Sequence, residues 1–301
     1  MKKDKLISGI QLKKEEESMT ALIWSIVPAA ERDALLVVDI ENSCLKRVNL
    51  SSLKIDVLYR SSETYSLRGA EFVADSNNRM RSLLLVEMQS TPADLTMTYA
   101  LVVPELDGSK WKLARRFDSD PSFLYYDSLV SICALRNIKV LCGVWNSDSL
   151  DVLSVPSALK ARKETPIPLG FTLHCFTCGV SDSVELMFAS DLSGKVNILE
   201  VCVGAPLALQ LLRSIDPRGG KLLWREPSLL FCADRNAQSN TDEVRVWRIS
   251  LGGRRAERLE CTPITHADNL YIKCWCSLGD RTAIYDWKTK NLILYSHHFH
   301  T

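Results

Sequence analysis

The sequence has 301 residues, 46% hydrophobic and 24% charged, enough apolar content for a sizeable core and too much for global disorder. Lys and Arg number 37 against 36 Asp and Glu, a net charge of +1, which excludes a dominant electrostatic attachment to nucleic acid or to an anionic membrane. The longest apolar run, Ala21–Ala30, is broken by Ser25 and Pro28 and is too short to span a bilayer.

Residues 1–18 read as a charged N-terminal arm, since Lys13-Lys14-Glu15-Glu16-Glu17 offers no apolar face to bury. The arm lacks the apolar stretch and small-residue cleavage site of a secretory leader, so the expected setting is intracellular, cytoplasmic or nuclear. From residue 19 to 301 the expectation is one continuous β domain. TALIWSIV, ALLVVDI and CLKRVNL form a first triplet of strands, and residues 53–60, Leu67–Ala74, Ser82–Met88 and MTYALVVPEL follow. The next unit runs from WKLARRF through LVSICAL and KVLCGVW to LDVLSVP, with a polar turn at Asn146–Ser149. Pro156, Pro166 and Pro168 bracket a charged linker. FTLHCFTCG and VELMFAS then lead through Asp191-Leu192-Ser193-Gly194 to KVNILEV, a hairpin signature. KLLWREP, SLLFCAD and EVRVWRIS make a fifth unit. ERLECTP opens the sixth, which ends on Tyr271–Cys276, Thr282–Asp286 and Leu292–Tyr295.

Aligning the last strand of each unit on Leu45, Leu101, Val152, Val196, Val246 and Ile293 gives steps of 56, 51, 44, 50 and 47 residues. A near-constant period of this size, with about four strands per unit, predicts an all-β fold: a single β-propeller of six blades, with seven the alternative count. Outside the arm, no run of ten or more residues sustains a helical period. The chain ends on a strand that already supplies a fourth member of the sixth unit, and Leu6–Leu12 is a candidate innermost strand of the first. Closure is therefore expected from side-chain packing between the first and sixth units, without strand exchange.

The phrases DLSGKVNILEV, DEVRVWRIS and AIYDWKTKNLILYS resemble the final hairpin of WD-repeat blades, in which a turn with Asp and Gly precedes a strand ending in Trp-Asp or an equivalent. The resemblance implies a degenerate WD-repeat-like propeller, similar to the one that follows an F-box in some fungal proteins. Gly-His and Trp-Asp dipeptides are absent, so that family's polar tetrad transfers to no blade here. Tryptophans 24, 111, 145, 224, 247, 275 and 287 fall one or two per blade, a spacing that suits packing between blades. Trp247 is expected on one sheet face with Arg245 and Ile249, against a neighbouring blade.

Chemistry-bearing residues are sparse. The ten cysteines mostly sit in apolar runs and are expected as reduced, inert core residues. Cys175 and Cys178 have zinc-knuckle spacing without a second ligand pair, and Cys274 and Cys276 share a strand face. His297, His298 and His300 crowd the C-terminus, where an exposed tail is the simpler reading than a metal site, while His174 and His266 stand singly. Gly219-Gly220-Lys221 and Gly252-Gly253-Arg254-Arg255 open no helix and read as turns rather than phosphate cradles. Arg115-Arg116 and Arg254-Arg255 are candidates for a basic interaction patch. With no nucleophile elbow, P-loop, dinucleotide fingerprint or zinc-protease motif, no catalytic, cofactor-binding or metal residue is assigned, and the binding surface stays unassigned.

The function this implies is a non-enzymatic platform for protein–protein interaction, monomeric on its own, with other proteins as partners and neither nucleic acid nor membrane. One alternative is the substrate-recognition propeller of an F-box ubiquitin ligase. The other is a propeller enzyme or small-ligand binder that uses the central channel.

Overall fold

A computed structural model describes residues 10–11, 23–29, 33–52, 54–74, 81–90, 95–105, 110–118, 130–136, 138–156, 160–204, 206–217, 220–236, 241–259, 271–279 and 281–296. Among these residues every regular element is a strand. β1 (Ile10–Gln11) is followed by the first sheet, β2 (Ile23–Pro28), β3 (Ala34–Asp39), β4 (Cys44–Asn49) and β5 (Ile55–Arg60). The second sheet is β6 (Tyr65–Ala74), β7 (Arg81–Ser90), β8 (Leu95–Pro104) and β9 (Trp111–Asp118). The third is β10 (Val130–Ala134), β11 (Lys139–Val144) and β12 (Ser149–Ser154), edged by the two short pieces β13 (Arg162–Lys163) and β14 (Ile167–Pro168). The fourth is β15 (Leu173–Ser181), β16 (Val184–Asp191), β17 (Val196–Cys202) and β18 (Ala208–Ile215). The fifth is β19 (Lys221–Arg225), β20 (Leu229–Asn236), β21 (Thr241–Ser250) and β22 (Arg255–Leu259). β23 (Ile272–Leu278), β24 (Arg281–Asp286) and β25 (Asn291–Ser296) begin the sixth. Small antiparallel sheets met in chain order make the fold a six-bladed β-propeller.

The strand period survives, but its phase shifts by one strand. Leu45, Leu101, Val152, Val196, Val246 and Ile293 all lie on the third strand of their sheets, not the last. WKLARRF is the outer strand of the second sheet, and Glu257, Arg258 and Leu259 belong to the outer strand of the fifth, rather than opening the sheets that follow. The physical reason is exposure. Outer strands such as β18 and β22 bury little, so their hydrophobic pattern does not tie them to the sheet before or after.

Closure also differs from the expectation. The first sheet has its four strands without the arm, and β1 pairs antiparallel with β25, Ile10 opposite Leu292 and Gln11 opposite Asn291. Residues 10–11 of the arm are thus the outer strand of the sixth sheet. An exposed edge on β25 would leave a row of backbone donors and acceptors unpaired, and residues 10–11 cover part of it.

The chain divides into two compact units. One, Met1–Phe72, Met80–Tyr126 and Leu270–Thr301, holds the sixth, first and second sheets; the other, Val73–Arg79 and Asp127–Asn269, holds the third, fourth and fifth. In each, the middle sheet is apolar on both faces. Along β3, Leu35 and Val37 pack with Tyr285 and Leu292 of the sixth sheet, while Leu36 and Val38 pack with Leu83 and Val102 of the second. Along β16, Met187 and Ala189 join the third sheet's Leu141 and Val152, and Leu186 and Phe188 join the fifth sheet's Leu222 and Leu230. Strand alternation alone produces this two-sided burial, and each buried Leu or Val contributes roughly 1.5–3 kcal/mol.

Candidate interaction site

The residues singled out in the sequence scatter. Cys175 packs toward the fifth sheet and Cys178 toward the third, because three residues along a strand reverse the face. They do not form a knuckle. Cys274 and Cys276 do share one cluster, between the sixth and first sheets. Burial pushes the Cys44 and Cys175 thiols up to about 11. His266, Cys261, Gly219 and the C-terminal histidines lie outside the described residues. Trp224 is buried, stacked on Phe188 at 4.9 Å, and Trp247 is half-buried against the same cluster. Gly179 makes room for Trp224, since a Cβ there would lie 2.0 Å from the indole ring. Arg115 and Arg116 fall on opposite faces of β9. Arg116 binds the buried Glu87 at 2.8 Å and lies over the Tyr65 ring, and Arg115 is exposed.

Polar chemistry on the first strands of the sheets is thin. In the second unit, His174 of β15 has its imidazole pushed below its ordinary value by burial, and further by the Lys221 cation. Lys221 lies 3.3 Å from the buried Asp242. Burial and the cation both oppose protonation of this imidazole, and the neighbouring Cys175, whose Sγ lies 3.4 Å from the Gly220 carbonyl, has its thiol pushed up to about 11 by burial. Among the described residues no cluster of three or more His, Cys, Asp or Glu is placed to hold a metal ion. In the first unit, burial pushes the Glu71 carboxyl up to about 8, against the opposing hydrogen bond from the Phe72 amide at 3.0 Å.

The outer strands are more informative. Long bare edges invite pairing, and proteins blunt them with charge, proline or brevity. β5 carries Asp56 and Arg60, β9 carries Lys112, Arg115, Arg116 and Asp118, and β22 carries Arg255, Glu257 and Arg258. β13 and β14 are two residues each. β18, ALQLLRSI, is eight residues long with Arg213 its single charge. Among the described residues its outer edge pairs with no strand.

The face of β18 that looks toward the third sheet is apolar. Leu211 is opposite Leu199 and Leu209 opposite Val201, and Leu199 and Val201 belong to the cluster between the third and fourth sheets. That face reaches the surface at Leu211, which is 58% exposed; Val203, just past the end of β17, is 64% exposed. The other face is basic, through a turn on the fifth sheet. Leu251, Gly252 and Gly253 all have positive φ, and the two glycines lie against Val184, Leu186 and Leu212 of the fourth sheet. A Cβ on Gly252 would sit 2.8 Å from Val184, so only glycine lets the turn settle there. The Asp182 carboxylate accepts the Gly252 amide at 3.1 Å. The turn brings Arg254 beside β18, where its carbonyl accepts the Arg213 guanidinium at 3.1 Å. Alternation puts Arg258 on the face with Trp247 and Ala256, which pack on the fourth sheet, and Arg255 on the opposite face. Thus Arg254 and Arg255 part, and Arg254 joins Arg213 beside β18. No sequence signal marks β18 as an edge until its place in the sheet is known.

No family model matches the sequence, and no curated protein sequence matches it. Solved structures do match along nearly the whole chain. The PQQ-bound aldose sugar dehydrogenase of Streptomyces coelicolor shares 12% identity at a TM-score of 0.60, covering 96% of this chain and 96% of its own. A protein from Lactobacillus plantarum shares 12% at 0.63, covering 95% and 84%. The β-propeller domain of Cps50 (Swd1) from Myceliophteria thermophila shares 8% at 0.52, covering 93% and 98%. What these structures have in common with this chain is the propeller fold.

Proposed function

We propose that the chain is a non-enzymatic, WD-repeat-like propeller that holds other proteins, with the outer edge of the fourth sheet as its contact surface. The observation that carries this reading is β18, a long edge with one charge, whose Leu211 stands more than half exposed opposite the core residue Leu199. Apolar side chains that carry a core cluster out to an unpaired sheet edge offer a partner both surface and backbone. The WD-repeat likeness draws support from the hairpins between second and third strands, where Asp39, Asp191 and Asp286 each accept backbone amides of the following turn. The sugar dehydrogenase lends its fold to an enzyme reading as readily as to this one. On the first strand of the fourth sheet burial holds the Cys175 thiol, next to His174, up to about 11, and the platform reading needs no nucleophile.

The test compares proteins retained from native extract by the tagged wild-type chain and by L211E and V203E. The expected result is that specific partners are lost from both variants, at unchanged Tm, and that a purified partner rebinds the wild type alone. An identical set of retained proteins for all three chains would overturn the proposal.

A further inference from the structure

Resting on that reading, we infer that β18 receives an extended segment of the partner as a fifth strand of the fourth sheet, and that this segment alternates apolar with acidic residues. Side chains of an added strand point alternately to the two faces of the sheet it joins. On one face it meets Leu209 and Leu211, at the margin of the cluster between the third and fourth sheets. On the other it meets Arg213 and the adjoining Arg254, against which Glu200 is the acid on the same face of β17. The Asp182 carboxylate is taken up by the Gly252 amide, so Arg213 and Arg254 leave this side positive at the edge. The register shift between Ile198 and Leu199 carries Arg213 to the face opposite that of Leu211, so a strand laid along β18 takes Leu, Val or Ile where it meets Leu209 and Leu211 and Asp or Glu at the positions between and beyond, toward Arg213. The same argument disfavours a second copy of β18, which would set arginine-bearing faces together without acids to meet them.

The probe is a capped, fluorescently labelled octapeptide alternating Leu and Val with Glu and Asp. Two controls accompany it, one with Lys at every acidic position and one with the same residues in apolar and acidic blocks. The alternating acidic peptide should saturate the full chain below about 1 mM, the weak end of specific binding. The lysine peptide should bind on the order of tenfold more weakly, as two exposed ion pairs allow, and the block peptide should not saturate. Hydrogen exchange should show new amide protection within residues 208–215 on adding the acidic peptide, and L211E should abolish binding without altering the melt.

Binding without new protection in 208–215 would overturn strand addition and leave the platform standing. So would failure of the acidic peptide to saturate, or equal binding by all three peptides. A concentration-dependent dimer, seen by sedimentation and lost in L211E, would name a second copy as occupant and overturn the partner segment. Unchanged protein capture by L211E would instead sink the platform itself.

Discussion

In the unit of the sixth, first and second sheets, the carboxylate that ends β3 is fully buried and met by a cation. Asp39 lies 2.8 Å from Lys46, itself only 6% exposed, and its oxygens also accept Asn42. In the unit of the third, fourth and fifth sheets, the residue at the same place in the fourth sheet is Asp191. It lies nearer solvent and accepts the amides of Ser193 and Lys195 and the Ser193 hydroxyl. Both aspartates close a four-residue turn between second and third strands. The turn chemistry is shared, yet the energetic stakes differ, because removing one member of a buried pair leaves the other charge in a low dielectric. The second unit puts its tight fits into aromatic packing instead, with Trp224 lying between Phe188 and the bare backbone of Gly179.

That contrast predicts the largest effect. Asp39→Ala strands Lys46 in the interior and should cost about 3–5 kcal/mol. Asp191→Ala removes turn hydrogen bonds that water partly replaces, and should cost about 1–2 kcal/mol. Urea denaturation at constant m-value measures both. Equal losses would break the comparison and place the two turns in one energetic class.

The first strands sharpen it through pH. Glu71 in the first unit has a folded value of about 8 against an ordinary 4.5, so the folded state holds its proton more tightly than the unfolded one. Its share of stability is full below 4.5 and is lost as pH rises toward 8. His174 in the second unit is shifted the other way, below 6.5, so the unfolded state binds the proton better. Stability is therefore lost there as pH falls through 6.5. Glu71→Gln should raise the Tm by a few degrees at pH 8 and leave it unchanged at pH 4. His174→Gln should raise it only on the acid side. Parallel melting curves for wild type and both variants across this range would show that neither burial is real.

Much of this architecture was legible. The period of Leu45, Leu101, Val152, Val196, Val246 and Ile293 is a backbone repeat, and third strands, buried by neighbours, keep the apolar character that reveals it. The turns at Asp191–Gly194 and Asn146–Ser149 were readable because their residues suit left-handed backbone, and Gly194 and Asn146 have positive φ. Ser43 and Lys290 adopt it too, and nothing in those residue types announces it. Outer strands were misassigned because exposure erases pattern. The same loss hid the candidate site: ALQLLRSI reads as any strand until its partner strand is known to lie on one side only. Arg254 and Arg255 were legible as a pair, but the glycines that lay Arg254 beside β18 act through contacts with Val184 and Leu186, nearly seventy positions earlier.

The smallest expected effect concerns the one sheet whose strands are not contiguous in sequence. In the unit of the third to fifth sheets, each sheet draws its strands from consecutive chain, whereas the sixth sheet borrows residues 10–11. The borrowed strand spans two residue pairs, Ile10 with Leu292 and Gln11 with Asn291. At the usual net value of a backbone hydrogen bond, its loss costs about 1–2 kcal/mol, because water can solvate the freed edge of β25. Deleting residues 1–12 should therefore lower the Tm by only a few degrees. It also bares the backbone of β25, whose side chains Leu292, Ile293, Leu294 and Tyr295 are buried, so the edge itself becomes a template for association. The truncated chain should melt at nearly the wild-type temperature but aggregate faster on prolonged incubation, by light scattering. Aggregation unchanged from wild type would show that β1 does not guard that edge, and a collapse of the melt would show that the arm carries far more of the fold than two residue pairs supply.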